Sequence, residues 1–395
     1  MKICIVSLFS PQTSVGGLER YLDTIMEEFN KRNIEVHLVT ASYLKDEIEK
    51  IGSITFHKLK ILNTTDKNTN KEAKKLFYYL KKLIKKEKID VISAENFYRG
   101  VPASYAFAVN LASMEMKVPI VLRMHGHFKQ ELEKALVKDL FWNKIISVSK
   151  NISNHAYEAG VKVTKLSTIY PPVNTGLFRP GLGKEWLRSR INVNNNEILI
   201  LHASRITGSK RHSYLESKGI PTLIEAFSSL NQNYKNLKLL IATALPPPTW
   251  QKDYDEAYKK IYEIAELNGV KDKIIVKDFK LNEMPHVYNG ADIFVMASQI
   301  ESFGLVYAEA LSCGIPAIGT SVGGIPEIID NGKTGYLVEP NNPVELARKM
   351  EFFINNEEKR KKMGWLGRQV IEKRFSIKKI TDKLIGNFNS LINKN

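Results

Sequence analysis

The stretch from Ala291 to Pro340, ADIFVMASQIESFGLVYAEALSCGIPAIGTSVGGIPEIIDNGKTGYLVEP, constrains the chain most. Asp292 to Ala297 is a short apolar run suited to a buried strand, Gln299 to Gly304 carries loop chemistry, and Leu305 to Ser312 has helical apolar spacing. A strand that feeds a helix through a short loop is the unit of an open α/β sheet, which binds ligands beyond the carboxyl ends of its strands. A helix that begins at about Phe303 or Gly304 aims unpaired N–H groups at that crevice and favours an anion such as a phosphate. Gly304 lets the anion come close. Glu301 precedes the helix and Glu309 falls in its second turn, with seven residues between them. Two carboxylates so spaced accept hydrogen bonds from hydroxyls at opposite ends of one elongated ligand. The plainer reading of the same spacing is a pair of surface glutamates.

The chain has 395 residues, enough for two domains with separate cores. Apolar residues make up 43% and charged residues 25%, a globular composition and not a disordered one. No run approaches the roughly 18 apolar residues of a membrane span. The start, Lys2-Ile3-Cys4-Ile5-Val6, reads as a first buried strand and not as a signal peptide. Cys4 and Cys313 are the only cysteines, in apolar settings, so the expectation is a reducing cytoplasm without disulfides or a cysteine zinc site. The net charge of +16 favours anionic partners without choosing among nucleotide diphosphates, nucleic acid and lipid headgroups.

In chain order, the first strand meets Gly16-Gly17 and then a helix with apolar residues at Leu22, Ile25, Met26 and Phe29. Strand, glycine turn and helix form a phosphate cradle, or simply a tight turn. A lysine-rich segment, Lys71 to Lys88, carries a helical stripe of Ala73, Leu76, Phe77, Leu80, Leu83 and Ile84. Such a helix packs its stripe on a sheet and hydrates its lysines, or lies on an anionic membrane. Pro119 to Met124 is a strand that ends in His125-Gly126-His127, at the mouth of the sheet. The prolines at 171, 172 and 180 break regular structure, and Glu197 to Leu201 reads as a buried strand that opens a second domain. Arg205, at the end of that strand, suits bidentate contact with a phosphate. Asp253-Tyr254-Asp255 has the form of a metal-binding Asp-x-Asp but sits in a charged helix and reads as a solvated face. The positive charge is not interleaved with aromatics in a nucleic-acid reading motif, so no nucleic-acid partner is expected.

Glu301, Ser302, Phe303, Gly304, Leu305, Glu309 and Ala310, followed by Gly314, Pro316, Gly323, Gly324 and Glu327, resemble the donor-binding core of family 4 retaining glycosyltransferases. The resemblance extends over nearly the whole chain and is thinnest in the first 110 residues. It implies the GT-B fold, two Rossmann-like doubly wound α/β domains that face each other across a cleft. Residues 1–180 would form the acceptor-side domain, completed by a last helix at about 376–395, and residues 181–375 the donor domain. The implied reaction moves a sugar from a UDP- or GDP-linked donor to a hydroxyl of a glycan, lipid or small molecule, with retention and without cofactor or metal.

The resemblance also assigns residues. Arg205 and a lysine would hold the diphosphate. Lys210 has the family spacing from Arg205, whereas Lys218-Gly219 matches the wording ahead of Leu223-Ile224-Glu225-Ala226-Phe227, after an apparent insertion of about eight residues. Lys218 is favoured and Lys210 stays open. Glu301 would hold sugar hydroxyls and Glu309 the ribose. His125 would face the transferred sugar, with His127 as the fallback. Gly16 and Gly17 would face the donor phosphates. Asn174 stands where the family commonly has an aspartate. Two other readings remain, a nucleotide-sugar epimerase of the same fold and a binding module without turnover, together with peripheral contact at the inner membrane surface.

Overall fold

The computed structural model describes residues 1–10, 16–42, 44–63, 69–206, 214–246 and 250–393. It divides into two compact units, residues 1–172 with 377–395, and residues 173–376. In the first, strands β1 (Lys2–Val6), β2 (Glu35–Ala41), β3 (Glu47–Ile51), β4 (Ile54–Leu59), β5 (Val91–Glu95), β6 (Ile120–Met124), β7 (Lys144–Ser147) and β8 (Leu166–Thr168) form one sheet in the order β3-β4-β2-β1-β5-β6-β7-β8. All pairings are parallel except β3 with β4. The helices are α1 (Gly17–Lys31), α2 (Thr69–Glu87), α3 (Ala103–Met116), α4 (Glu131–Lys138) and α5 (Lys150–Glu158). The expected stripe of α1, Leu22, Ile25, Met26 and Phe29, is buried against Ile3, Ile5, Val36 and Leu38 of the sheet.

The second unit holds β9 (Ile198–Ala203), β10 (Leu237–Thr243), β11 (Ile274–Asp278), β12 (Ile293–Val295), β13 (Ala317–Thr320) and β14 (Gly335–Val338), all parallel, in the order β11-β10-β9-β12-β13-β14. Its helices are α6 (Glu185–Arg190), α7 (Tyr214–Ser217), α8 (Ile220–Asn231), α9 (Gln251–Leu267), α10 (Met284–Gly290), α11 (Leu305–Ser312), α12 (Pro343–Asn355) and α13 (Glu357–Phe375). The chain then returns to the first unit with α14 (Ile377–Ile392), whose Ile380, Leu384 and Phe388 join that unit's core. Asp253 and Asp255 lie on α9, as the charge pattern indicates. Among the described residues no helix is long and apolar enough to cross a membrane.

Two sequence expectations need correction. The first unit ends at Pro172 and not at residue 180, because 173–180 is built into the second unit. Val173 donates its N–H to the Phe375 carbonyl at 2.8 Å, and the buried Phe178 has its carbonyl capped by the Ser312 hydroxyl at 2.6 Å. The segment from 42 to 68, to which the sequence reading gives no element, contains the β3–β4 hairpin. Gly52, at φ +60°, makes its turn.

Each sheet reverses its strand order once, between β1 and β5 in the first unit and between β9 and β12 in the second. Ligands of open α/β sheets collect at such switch points. The second is anchored by Asp292. Its carboxylate accepts from Arg188 Nη2 at 2.7 Å, from Lys184 Nζ at 2.5 Å and from the Leu199 N–H at 2.8 Å, so it ties α6 to the starts of β9 and β12. The Arg188 guanidinium also donates to the Asn194, Glu197 and Gly290 carbonyls and is almost fully buried. Removal of one partner from a buried ion pair leaves the other charge unpaired, so Asp292→Ala should lower unfolding free energy by about 3–5 kcal/mol. Urea denaturation measures this, and a loss close to zero would contradict the anchoring role.

Candidate active site

Three loops close the switch point of the second unit. The first follows β9 and carries Arg205, whose guanidinium lies 5.6 Å from the ring centre of Tyr214. Residues 207–213, among them Lys210, lie outside the described residues. The second is the α7–α8 junction, Lys218-Gly219. Gly219 adopts φ +67°, and a Cβ on it would lie 1.8 Å from the Ala297 carbonyl oxygen. The junction therefore presses against the chain that leaves β12, an approach that the Gln299 N–H secures by donating to the Ser217 carbonyl at 2.9 Å. Consequently Lys218 Nζ reaches Glu301 Oε2 at 2.9 Å, with both side chains largely shielded.

The third loop carries Glu301 and leads into α11. The helix starts at Leu305, with Gly304 as its N-cap at φ +102°, a conformation that a glycine adopts without strain. Phe303 is buried and packs on Phe375. The loop is braced from behind by Gly323 and Gly324. A Cβ on Gly323 would lie 1.6 Å from the Glu301 carbonyl oxygen, and one on Gly324 would lie 2.8 Å from Phe303 Cα. The paired glycines thus set where Glu301 and the helix start stand. Glu309, in the second turn of α11, is 3% exposed and accepts the Tyr288 hydroxyl at 2.9 Å. Lys218, Glu301, Gly304, Leu305 and Glu309 are therefore assembled around one helix start, and Arg205 stands on the loop of the neighbouring strand.

In the first unit, Gly16 is the N-cap of α1 with φ −162°, so no left-handed backbone is needed there. Beside Gly17 a Cβ would meet nothing within 4 Å, whereas beside Gly16 it would meet the Glu19 carboxylate at 2.4 Å. An acidic side chain in the first turn thus already answers the positive end of this helix. His125 lies 5.1 Å from Tyr21, ring centre to ring centre. Its Nε2 is 2.7 Å from Glu95 Oε2, while Glu95 Oε1 accepts the Ser93 hydroxyl at 2.6 Å. An ionised carboxylate only accepts, so the network gives His125 Nε2 the proton and leaves Nδ1 as the acceptor. Burial pushes the His125 pKa below its ordinary value, with the Glu95 hydrogen bond acting against the shift. Arg123, fully buried beneath the pair, donates to the Ile169 carbonyl and lies over the Tyr21 ring at 4.3 Å. His127, the fallback, is occupied by the Asn151 side chain at 2.7 Å and faces His155.

Sequence reasoning passed over Glu95 and Tyr288. Glu95 had a usable signal, a carboxylate at the carboxyl end of an otherwise apolar strand. Tyr288 had none, since only the fold brings α10 to Glu309.

Residues 184–370 match the family of Glycosyl transferases group 1, and residues 15–177 match Glycosyltransferase Family 4. The chain belongs to this family of glycosyltransferases. It is 26% identical to glycosyltransferase MJ1178 of Methanocaldococcus jannaschii, over 96% of its own length and 95% of that protein's. It is 22% identical to the N-acetyl-alpha-D-glucosaminyl L-malate synthase of Bacillus anthracis, over 94% and 93% of the two chains. The crystal structure of Anabaena HepE in complex with UDP and glucose superposes with a TM-score of 0.78 at 18% identity, over 99% of this chain and 100% of the other. The two Rossmann-like units are those of the GT-B fold.

The glycine brace of this glycosyltransferase is open to test. Gly323→Ala forces a left-handed alanine, at about 1–2 kcal/mol, on top of a collision with backbone. The variant should unfold at lower temperature and lose transfer activity, both measurable on one preparation. Unchanged stability would show that the loop does not rest on this crossing.

Proposed function

We propose that this glycosyltransferase moves a sugar from a nucleoside diphosphate sugar to an acceptor hydroxyl with retention of anomeric configuration. The observation that carries this reading is the Lys218–Glu301 pair at 2.9 Å beside the α11 start. A cation for a phosphate and a carboxylate for sugar hydroxyls stand side by side, as the linkage between sugar and diphosphate demands. While no donor is bound, each neutralises the other, so neither charge is left buried alone.

As the bond to the sugar breaks, negative charge grows on the departing diphosphate. Arg205, Lys218 and the N–H groups at Phe303 to Leu305 are the proposed protein counterweights, so the reading calls on no metal. Glu309 is assigned to the ribose, with Tyr288 giving up or sharing its hydrogen bond. Gly16, Gly17 and His125 keep the roles that the family resemblance implies, on the donor phosphates and on a hydroxyl of the transferred sugar. Under the retaining reading the leaving phosphate takes the acceptor proton, and no carboxylate nucleophile is assigned. UDP is the favoured nucleotide over GDP, supported by the HepE complex. The Bacillus anthracis relative, named for L-malate, supports a small molecule alongside glycans and lipids among the acceptor classes. Family membership favours transfer over epimerisation. The buried Cys4 and Cys313, with the Cys4 thiol pushed up to about 12 by burial, suit the proposed cytoplasmic setting.

Arg205→Ala and Glu301→Ala should each lower kcat about 10²–10³-fold, in line with the loss of one preorganised charge-stabilising group, while unfolding stays cooperative. Nucleotide release with a panel of donors reads this out. Turnover like that of the unaltered enzyme in either variant would refute the site. UDP should raise the melting temperature more than GDP or ADP at equal concentration.

Glu95 is proposed as a positioning residue for His125, which accepts a hydrogen bond from a sugar hydroxyl at Nδ1 only while neutral. Activity should therefore fall at acid pH as His125 takes up a proton. Because Glu95 raises the pKa of His125, Glu95→Gln should move that acid limb to lower pH. A purely structural Glu95 would leave the limb in place and change only the amplitude.

A further inference from the structure

In the first unit, the chain that leaves β6 through residues 125–128 is clamped from two sides. On one side, the Tyr98 hydroxyl donates to the Gly126 carbonyl and accepts the Gly126 N–H at 3.3 Å. Arg99 Nη1 donates to the His127 carbonyl at 3.0 Å. On the other side, α5 sets Asn151 Oδ1 2.7 Å from His127 Nε2 and packs His155 on the His127 and Phe128 rings. His155 Nε2 faces the Phe128 carbonyl at 3.3 Å. Carbonyl and carboxamide oxygens only accept, so in both rings Nε2 carries the proton and Nδ1 is left as an acceptor.

The charge around this clamp is one-sided. Arg99 is half-buried and Lys129, just past the clamp, is exposed. Neither has an ion-pair partner among the described residues. The acids nearby in sequence are engaged elsewhere: Glu133 accepts the Lys129 backbone N–H at 2.6 Å, and Glu131 lies 3.4 Å from Lys134. Burial pushes the His127 pKa below its ordinary value. The Asn151 hydrogen bond acts against that shift, while His155, Arg99 and Lys129 lower it further. A guanidinium held by its backbone contact at the mouth of a parallel sheet, with donors to spare and no acid to meet them, suits an anion from outside.

We propose that Arg99 and Lys129 bind the anionic group, a carboxylate or a phosphate, of a small acceptor whose hydroxyl reacts beside His125. The inference rests on the sugar-transfer reading, in which His125 faces the transferred sugar, and it narrows the acceptor that this reading leaves open. His125 and His127 are two residues apart, so their backbones lie within about 7 Å of each other. Anion and reacting hydroxyl therefore belong to one small molecule, a hydroxy acid or a sugar phosphate, and not to a neutral glycan.

Three compounds on one skeleton test this: glucose, glucuronate and glucose 6-phosphate, each added to the full chain while the His127 ring is titrated by NMR. His127→Asn assigns the resonance. A bound anion favours the protonated ring, so glucuronate or glucose 6-phosphate should move the His127 titration to higher pH, and glucose should leave it in place. The two anionic arms tell which group is taken. Arg99→Gln should weaken anion binding about tenfold, with partial rescue by Arg99→Lys, which keeps the charge but not the fork. Lys129→Gln, at an exposed position, should weaken it about threefold and keep the melting temperature of the parent. A His127 titration indifferent to both anions, an equal response to glucose, or anion binding undiminished in both Arg99→Gln and Lys129→Gln would each overturn the inference. Stabilisation by UDP, read on the same samples, reports on the donor separately. A chain that answers UDP but neither anion overturns this inference alone, and one that answers the anions but not UDP overturns the donor reading instead.

Discussion

The geometry of the second unit depends on backbone lying against backbone at glycine. Above the carboxyl ends of β9 and β12, Gly219 meets Ala297, Gly323 meets Glu301 and Gly324 meets Phe303, at separations that leave no room for a Cβ. Three chain segments distant in sequence are thereby fixed relative to one another without any side chain between them. Main-chain contact is stiffer than side-chain packing, since it offers no rotamers through which to relax. The side chains proposed to do the chemistry project from this rigid crossing. Lys218 precedes one contact glycine, and Glu301 is the residue whose carbonyl receives another, so their 2.9 Å pairing follows from how the backbones cross.

The two units treat buried charge differently. In the second, Asp292 is saturated by Arg188, Lys184 and a backbone N–H, and its role is to hold α6 and two strands in register. In the first, Glu95 is as deeply buried but is shared between Ser93 and His125, with Arg123 Nε 4.0 Å away. Among the described residues Nε and Nη1 of Arg123 find no hydrogen-bond partner. A saturated network is a brace, whereas a network with unused donors keeps a polar, polarisable environment at the mouth of the sheet. Burial holds the His125 pKa below its ordinary value, while the hydrogen bond to Glu95 acts against that shift and fixes the ring.

Much of this was legible in the sequence where local chemistry and fold agree. The strand, loop and helix from Asp292 to Ser312 were readable because parallel strands, covered on both faces, are continuous apolar runs and because Gly304 marks the helix start. The sequence reading favours Lys218 because Gly219 and a helix near Pro221 follow it; Gly219 lies against Ala297, and α8 starts at Ile220. The β3–β4 hairpin escaped because Glu47–Ile51 is an edge strand with exposed, charged positions, and such strands carry little hydrophobic signal. The domain passage was placed eight residues late since prolines mark where regular structure stops, not which core a segment joins. Phe178 settles that by packing near Tyr288, a contact no local pattern announces. Tyr288 over Glu309 and Glu95 beside His125 escaped for the same reason. Each pairs residues on different elements, and a single sequence records spacing only along one element at a time.

The charge balance gains meaning once the fold divides it. A net +16 spread evenly would say only that the protein stays soluble and attracts anions. At the second switch point, however, the cation Lys218 is paired with Glu301 at 2.9 Å, so its charge is answered within the protein. The exposed surplus on α2 instead borders an apolar groove, where water-facing lysines and unburied rings occupy the same surface. The exposed and the paired cations are thus different residues. Surface lysines act over about a Debye length and are weakened by salt, while the shielded Lys218–Glu301 pair is screened much less. Ionic strength should accordingly change how fast anionic partners arrive far more than how the bound donor is held.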